Sequence, residues 1–402
     1  MRFLNLLTLA GGVLVLSGCS LLPQTAPPPT TDQPPTVFQT KPLPGSLWRS
    51  SDGGKTFEPK VTVAETTSKI TSADVLSLSF LPQVSSAEGL TETVAPVFVG
   101  TIASGIFRSE NGGGEWRHLD FPPKKIYSFT ADKHDPHRMF ATGVVAERGK
   151  IYRSKDDGTT WEEVYTEPGV NTVIVSLAEH PVDTNVLFAG TSAGTVVKST
   201  DGGNTWKNVG QQVDGPVTDI SFDAKKPFVT YLLVFNTKMY YSENGGENWI
   251  DWEKVKLEER QKRLANVGKN GSSDDSTALQ KQLEAEDKRK SPQNMVSLTP
   301  DPLISGTLYA GTNTGLFRST DFGKFWDEVN IIESAKKFPL RAIAVNPKNS
   351  EEVVFTAGRA FYKSANRGVT WSVLELAVDR DVSVIAYDPV NPSILYLGLR
   401  KY

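Results

Sequence analysis

An eight-residue unit, Ser199-Thr200-Asp201-Gly202-Gly203-Asn204-Thr205-Trp206, recurs until it has appeared seven times, and this constrains the fold more than any other feature of the chain. The counterparts begin at Ser50, Ser109, Ser154, Ser242, Ser319 and Ser364. The third position is always Asp or Asn: Asp52, Asn111, Asp156, Asp201, Asn244, Asp321 and Asn366. The fifth is always glycine, from Gly54 to Gly368. The eighth is always aromatic: Phe57, Trp116, Trp161, Trp206, Trp249, Trp326 and Trp371. An Asp or Asn side chain can accept hydrogen bonds from backbone N–H groups just ahead of it and so close a turn. Glycine supplies the positive φ that such a turn needs. Apolar runs such as Ile106-Phe107-Arg108 and Val196-Val197-Lys198 precede the units, so each reads as strand, tight turn, strand.

The units are spaced 59, 45, 45, 43, 77 and 45 residues apart. A period near 45 fits the four short strands of a propeller blade. Two further strands per unit begin near Leu76, Ile126, Val175, Thr218, Val296, Ala342 and Ser383. The expected fold is all-β, a seven-bladed β-propeller over residues 45–402. Its first element, Leu47-Trp48, belongs to an outer pair. Its last, Val384–Tyr387 and Leu395–Leu397, is an inner pair lacking outer strands. The two halves are expected to complete one blade, closing the ring and leaving no inner edge unpaired.

The unit resembles the Asp box, or BNR repeat, of sialidases, xyloglucanases, sortilin-type receptor domains and the photosystem II assembly factor. That resemblance implies that the boxed Asp and Asn residues shape hairpins at the blade periphery, away from any active site. The likeness is greatest to the single-ring members, the assembly factor and the sortilin-type domain, which bind polypeptide. The sialidase Arg-Ile-Pro-type motif is absent, and xyloglucanases of this kind carry two rings.

The N-terminus points to export. Met1-Arg2 is followed by an apolar stretch, Phe3–Leu16, too short to span a membrane comfortably and suited to a signal peptide over 1–18. Leu16-Ser17-Gly18-Cys19 resembles the bacterial lipobox, which implies cleavage before Cys19 and lipidation of that residue, the chain's one cysteine. Acyl chains contribute about 0.8 kcal/mol per buried CH₂, enough in combination to hold a protein at a membrane. Residues 19–44 are rich in Pro and Thr and read as a tether, extending about 3.1 Å per residue. The expected location is the bacterial cell envelope, facing the periplasm or the exterior.

The interval of 77 carries an insertion at 253–290, rich in Glu, Lys, Gln, Leu and Ala on both sides of a Gly/Asn/Ser/Asp stretch. This predicts a helical hairpin, with Ser276 or Asp275 capping the second helix. As a link between blades it is expected on the face where propellers of this kind receive ligands. It reads either as a solvated decoration or as a docking arm.

Dedicated chemistry is hard to find. A net charge of −3 offers no basic surface for nucleic acid. His134-Asp135-Pro136-His137 invites a metal reading, but Pro turns also recur at His180-Pro181, Asn346-Pro347 and Asp388-Pro389. No phosphate loop, nucleophile elbow or zinc motif is present, and neither metal nor cofactor is expected. The expected role is a non-catalytic, monomeric scaffold that binds a protein or peptide. The alternative is a surface glycoside hydrolase or glycan-binding protein, whose enzyme form needs two carboxylates at a defined separation.

Overall fold

A computed structural model describes residues 44–64, 70–81, 94–123, 125–270, 273–289, 291–332 and 335–402, and side chains of 267–276 and 287–288 are outside that description. The chain divides into a unit Met1–Thr40, outside the described residues together with the signal peptide, Cys19 and most of the tether, and a unit Lys41–Tyr402.

Seven antiparallel sheets make up the second unit. Numbered from the first complete sheet in the chain, their inner strands are Val75–Phe80, Ile126–Ala131, Ile174–Glu179, Val217–Phe222, Met295–Pro300, Ala342–Asn346 and Asp381–Tyr387. Each inner strand packs beside the next, and the seventh packs beside the first, so the sheets form a closed seven-bladed propeller. The blade cores are apolar, and each lies between neighbouring sheets. One cluster, for example, joins Phe188, Val217, Leu232, Val234 and Trp249 from the third and fourth blades.

The ends of the chain close the ring as the repeat order predicts. The seventh sheet pairs Glu58–Pro59 and Leu47–Ser50 from the N-terminal side with Leu395–Arg400 and Asp381–Tyr387 from the C-terminal side. Leu47 faces Gly398 and Ser50 faces Leu395 across this junction. Arg380 fastens it, donating to the carbonyls of Gly45, Thr71 and Ala73 at 3.0, 2.7 and 2.9 Å.

The fourth blade departs from the four-stranded pattern. It has three strands, Val217–Phe222, Thr230–Val234 and Met239–Ser242. Where the outer strand should run, Ile250 makes one bridge to Tyr241, and a helix then begins at Trp252. Helices α1 (Trp252–Asn270) and α2 (Ser273–Lys288) follow.

Candidate functional site

The seven boxes share one hydrogen-bond pattern. In each, the hydroxyl of the first Ser reaches the third residue, as Ser50 Oγ does Asp52 Oδ1 at 2.7 Å. The same Ser oxygen accepts the N–H of the fifth-position glycine at 2.8–2.9 Å in all seven. The Asp or Asn Oδ1 accepts the N–H four residues on, at 2.8–3.0 Å, in Asp52, Asn111, Asp156, Asp201, Asn244, Asp321 and Asn366 alike. Thr205 supplies that N–H and its hydroxyl to Asp201, whose pKa is lowered to about 2 mainly by these bonds. The Ser hydroxyl and the Asp or Asn Oδ1 of every box are thus engaged in closing their own turn, a structural use.

The tryptophans start the segment after each turn. Trp116, Trp249 and Trp326 are buried, and Trp161, Trp206 and Trp371 are partly so. The indole N–H of Trp161, Trp206 and Trp326 returns to the carbonyl of its own box glycine at 2.9–3.1 Å.

A feature missed in the sequence joins the blades. The residue before the box serine is basic in six of the seven repeats: Arg49, Arg108, Arg153, Lys198, Arg318 and Lys363. Five of these reach the fourth box position of the next blade. Arg153 donates to Gly202 O at 2.6 Å, Lys198 to Gly245 O at 2.8 Å, Lys363 to Gly53 O at 2.8 Å and Arg318 to Arg367 O at 3.3 Å. Arg108 meets the Asp157 carboxylate at 2.7 Å. The cation recurs with the repeat period, a signal available from sequence alone. Hydrogen bonds to charged groups contribute about 1.5–3 kcal/mol each when buried. Arg153 is buried and also holds Asn204 Oδ1 at 2.9 Å. Replacing Arg153 with Met is expected to lower stability by about 2 kcal/mol, read as a fall in urea midpoint with unchanged slope.

The exception is Tyr241 in the fourth blade, and the helices dock there. The Trp252 ring stacks on Tyr241 at 5.3 Å, and its indole N–H donates to Phe322 O at 3.1 Å, inside the fifth blade's box. Lys324 meets Glu259 at 3.1 Å, and Arg289 meets Asp327 at 2.9 Å. The helices therefore sit beside the box of the fifth blade, at the end of the strands where the boxes lie. This corrects the expectation that the insertion would project over the ligand-receiving face. The chain leaves the sheet three residues after Trp249, before an outer strand has carried it to the opposite end.

At that opposite end, where inner strands begin, the axis opens into a cavity of about 690 Å³. Its wall is mostly apolar, with Val175 from the third blade and Val296 and Leu298 from the fifth. Lys125, Arg341 and Arg400 contribute cations. Arg341 lies over the ring of Tyr402, 4.1 Å from its centroid, and Arg400 at 5.0 Å. Asp219 is the one acidic side chain among the described lining residues. None of the described residues of α1 and α2 lines this cavity.

The histidines are otherwise occupied. His180 Nδ1 accepts the N–H of Asp183 at 3.0 Å, capping the inner Pro turn, as Asp388 Oδ1 does for Asn391 at 2.9 Å. In the second blade that role falls to Asp132, which accepts from His134 N–H at 2.7 Å. The counterpart of His180 is therefore Asp132 rather than His134. His137 pairs with Asp157 at 2.7 Å on the surface. No group of three or more metal-ligating side chains occurs among the described residues.

Beside Asp132 lies Glu179, buried between the second and third blades, with one oxygen accepting Lys133 N–H at 3.1 Å. Burial, reinforced by the Asp132 charge, pushes Glu179 up to about 8. A folded pKa above the ordinary value of 4.5 means that the folded state holds the proton longer. The stabilising contribution is complete below about pH 4.5 and is lost as pH rises through about 8. Glu179→Gln is therefore expected to narrow the difference in melting temperature between pH 6 and pH 9, by keeping more stability at pH 9.

Comparison with known proteins agrees with this geometry. Residues 149–301 match the profile of the family described as sortilin, neurotensin receptor 3, and residues 316–329 match that of the BNR-Asp box repeat. No curated protein sequence matches the chain. Among solved structures, the GH74 xyloglucanase from Xanthomonas campestris superposes with a TM-score of 0.58 at 16% identity, covering 82% of this chain and 51% of its own. The chain thus spans about half the length of that enzyme. A structure described as YCF48 bound to D1 peptide gives a TM-score of 0.54 at 14% identity, covering 82% of this chain and 94% of its own. YCF48 from Cyanidioschyzon merolae gives 0.52 at 13%, covering 81% and 95%. Identities this low speak to fold alone. By its boxes, its sheet order and these likenesses, the chain is a seven-bladed β-propeller built from Asp-box repeats.

Proposed function

We propose that this chain is a lipid-anchored scaffold of the bacterial cell envelope that holds an extended polypeptide at the mouth of its central channel. The observation that carries the reading is the make-up of the cavity: apolar strands, three cations and a single acidic side chain among its described lining. Glycoside hydrolysis uses two carboxyl groups across the scissile bond, and Asp219 is the one acidic side chain in this wall. A polypeptide offers such a wall apolar side chains for the strands and carbonyl oxygens for the three cations. The YCF48 structure with a peptide is a precedent for a propeller of similar size, at the level of fold. The anchor is Cys19, and the Pro/Thr-rich segment after it is the spacer.

Purified full chain in detergent tests the reading, titrated with an array of extended peptides of mixed sequence and, in parallel, with xyloglucan oligosaccharides. Peptides should bind, and the double variant Arg341→Ala/Arg400→Ala should weaken them at least tenfold. Cleavage or preferential binding of the oligosaccharides would transfer the protein to the glycan alternative. Cys19→Ser should move the protein from the membrane to the soluble fraction and abolish incorporation of labelled palmitate.

A further inference from the structure

The inner strands share a device that makes one residue stand out. Six of the seven carry a register shift near the channel mouth. In four of them the residue after the shift is a serine: Ser77, Ser128, Ser176 and Ser297. Three of these serines stitch neighbouring blades. Ser176 Oγ donates to Val217 O at 2.6 Å, Ser297 Oγ donates to Leu340 O at 2.5 Å, and Ser128 Oγ accepts Leu177 N–H at 3.1 Å.

The fourth blade places Asp219 at this position. An ionised carboxylate cannot donate to a carbonyl, so it cannot replace the serine stitch. Asp219 is in the cavity wall and only partly exposed. Burial and neutral hydrogen-bond donors, first the Ile220 N–H, act on its ionisation, and no charged side chain does. Burial pushes it up to about 6, so around neutral pH it still carries a charge. A half-buried charge without a counter-charge is costly, and groups of this kind cluster where a ligand pairs with them.

We infer that Asp219 is the specificity-determining residue of the channel, accepting a cationic group, a lysine side chain or another primary amine, from the bound polypeptide. The inference rests on the reading that a polypeptide occupies the channel and names what that polypeptide must carry. The occupant enters with its ammonium toward Asp219, while Lys125, Arg341 and Arg400 meet its carbonyls and acidic groups. The remainder of the wall is apolar and suits the aliphatic stem of a lysine.

Two capped peptides test this, identical except that one carries lysine where the other carries norleucine. Full chain in detergent at pH 7.5 should bind the lysine peptide about tenfold more tightly, the scale of one charge-assisted hydrogen bond. Asp219→Ser, which installs the residue found in other blades, should remove the preference without lowering the melting temperature. Asp219→Asn gives a second, nearly isosteric check. The preference should also fade below about pH 6, where Asp219 takes up a proton. Equal binding of both peptides, unchanged in the variants, would overturn the role of Asp219 while leaving peptide binding intact. Failure of both peptides, and of the mixed array, would overturn the channel reading together with it.

Discussion

A chain ending at Arg380 will lose its cooperative melting transition and will elute as an aggregate or be digested rapidly by protease. The missing residues supply the two inner strands of the seventh blade, Asp381–Tyr387 and Leu395–Arg400. Ile394, Leu395, Tyr396, Leu397 and Leu399 are all fully buried there. Burial of each large apolar side chain is worth about 1.5–3 kcal/mol. The set is therefore comparable with the whole net stability of a typical domain, about 5–15 kcal/mol. Loss of these strands also leaves Leu47–Ser50 without its partner and uncovers the inner face of the first blade, including Val75. Exposed strand edges of this kind pair with other chains. Size-exclusion chromatography and a melting scan of the truncated protein test the prediction, and a monomer with unchanged melting would contradict ring closure.

Gly246→Ala should destabilise the protein by about 2–4 kcal/mol, whereas Gly245→Asn should change stability by less than about 1 kcal/mol. The two glycines are adjacent in one box, both at positive φ, and differ in surroundings. At the fourth box position the backbone stays near the left-handed helical region, and Asp157, Phe322 and Arg367 occupy it at φ 61, 61 and 58°. In the fourth blade a Cβ on Gly245 meets only the Lys198 ammonium, at 3.4 Å. At the fifth position all seven glycines lie at φ 79–89°. A Cβ on Gly246 would approach Phe188 of the preceding blade to 2.6 Å and Trp249 to 3.1 Å. Gly54, Gly158, Gly203, Gly323 and Gly368 meet Phe361, Leu119, Phe140, Met239 and Val329 in the same way, at 2.6–2.8 Å. In six of the seven boxes this glycine is therefore the point at which the box sits on its neighbour's core. Chemical unfolding of the two variants side by side separates backbone preference from packing.

The contrast explains what was legible in the sequence. Seven boxes announce seven blades because the motif is held by hydrogen bonds within a few residues, so local spelling determines local shape. Closure by the two ends was legible for a related reason: the half-repeats at Leu47 and at Leu395 have only each other to pair with. The site was less accessible. The helices between Trp252 and Lys288 could be read from composition, but their place depends on how far the chain travels before it leaves the fourth sheet. The outer strand expected there is reduced to the bridge at Ile250, which no local pattern signals. The interblade cations stand at a fixed offset from six of the seven boxes, where a basic residue also fits the polar side of a strand alternation. Asp219 could not be singled out among 46 acidic residues, because its place in the channel follows from the register shift in its strand.

Site-specific photocrosslinking in living cells tests the central claim most directly. A photoreactive residue at Phe235, in the wall of the channel cavity, is compared with one at Leu257, exposed on α1 beside the fifth blade's box. Crosslinks from Phe235 to a defined peptide segment of an envelope protein, reduced by Arg341→Ala/Arg400→Ala and absent from Leu257, are the predicted result. Crosslinks from Leu257 alone would place the working surface on the helices and contradict a polypeptide-binding channel.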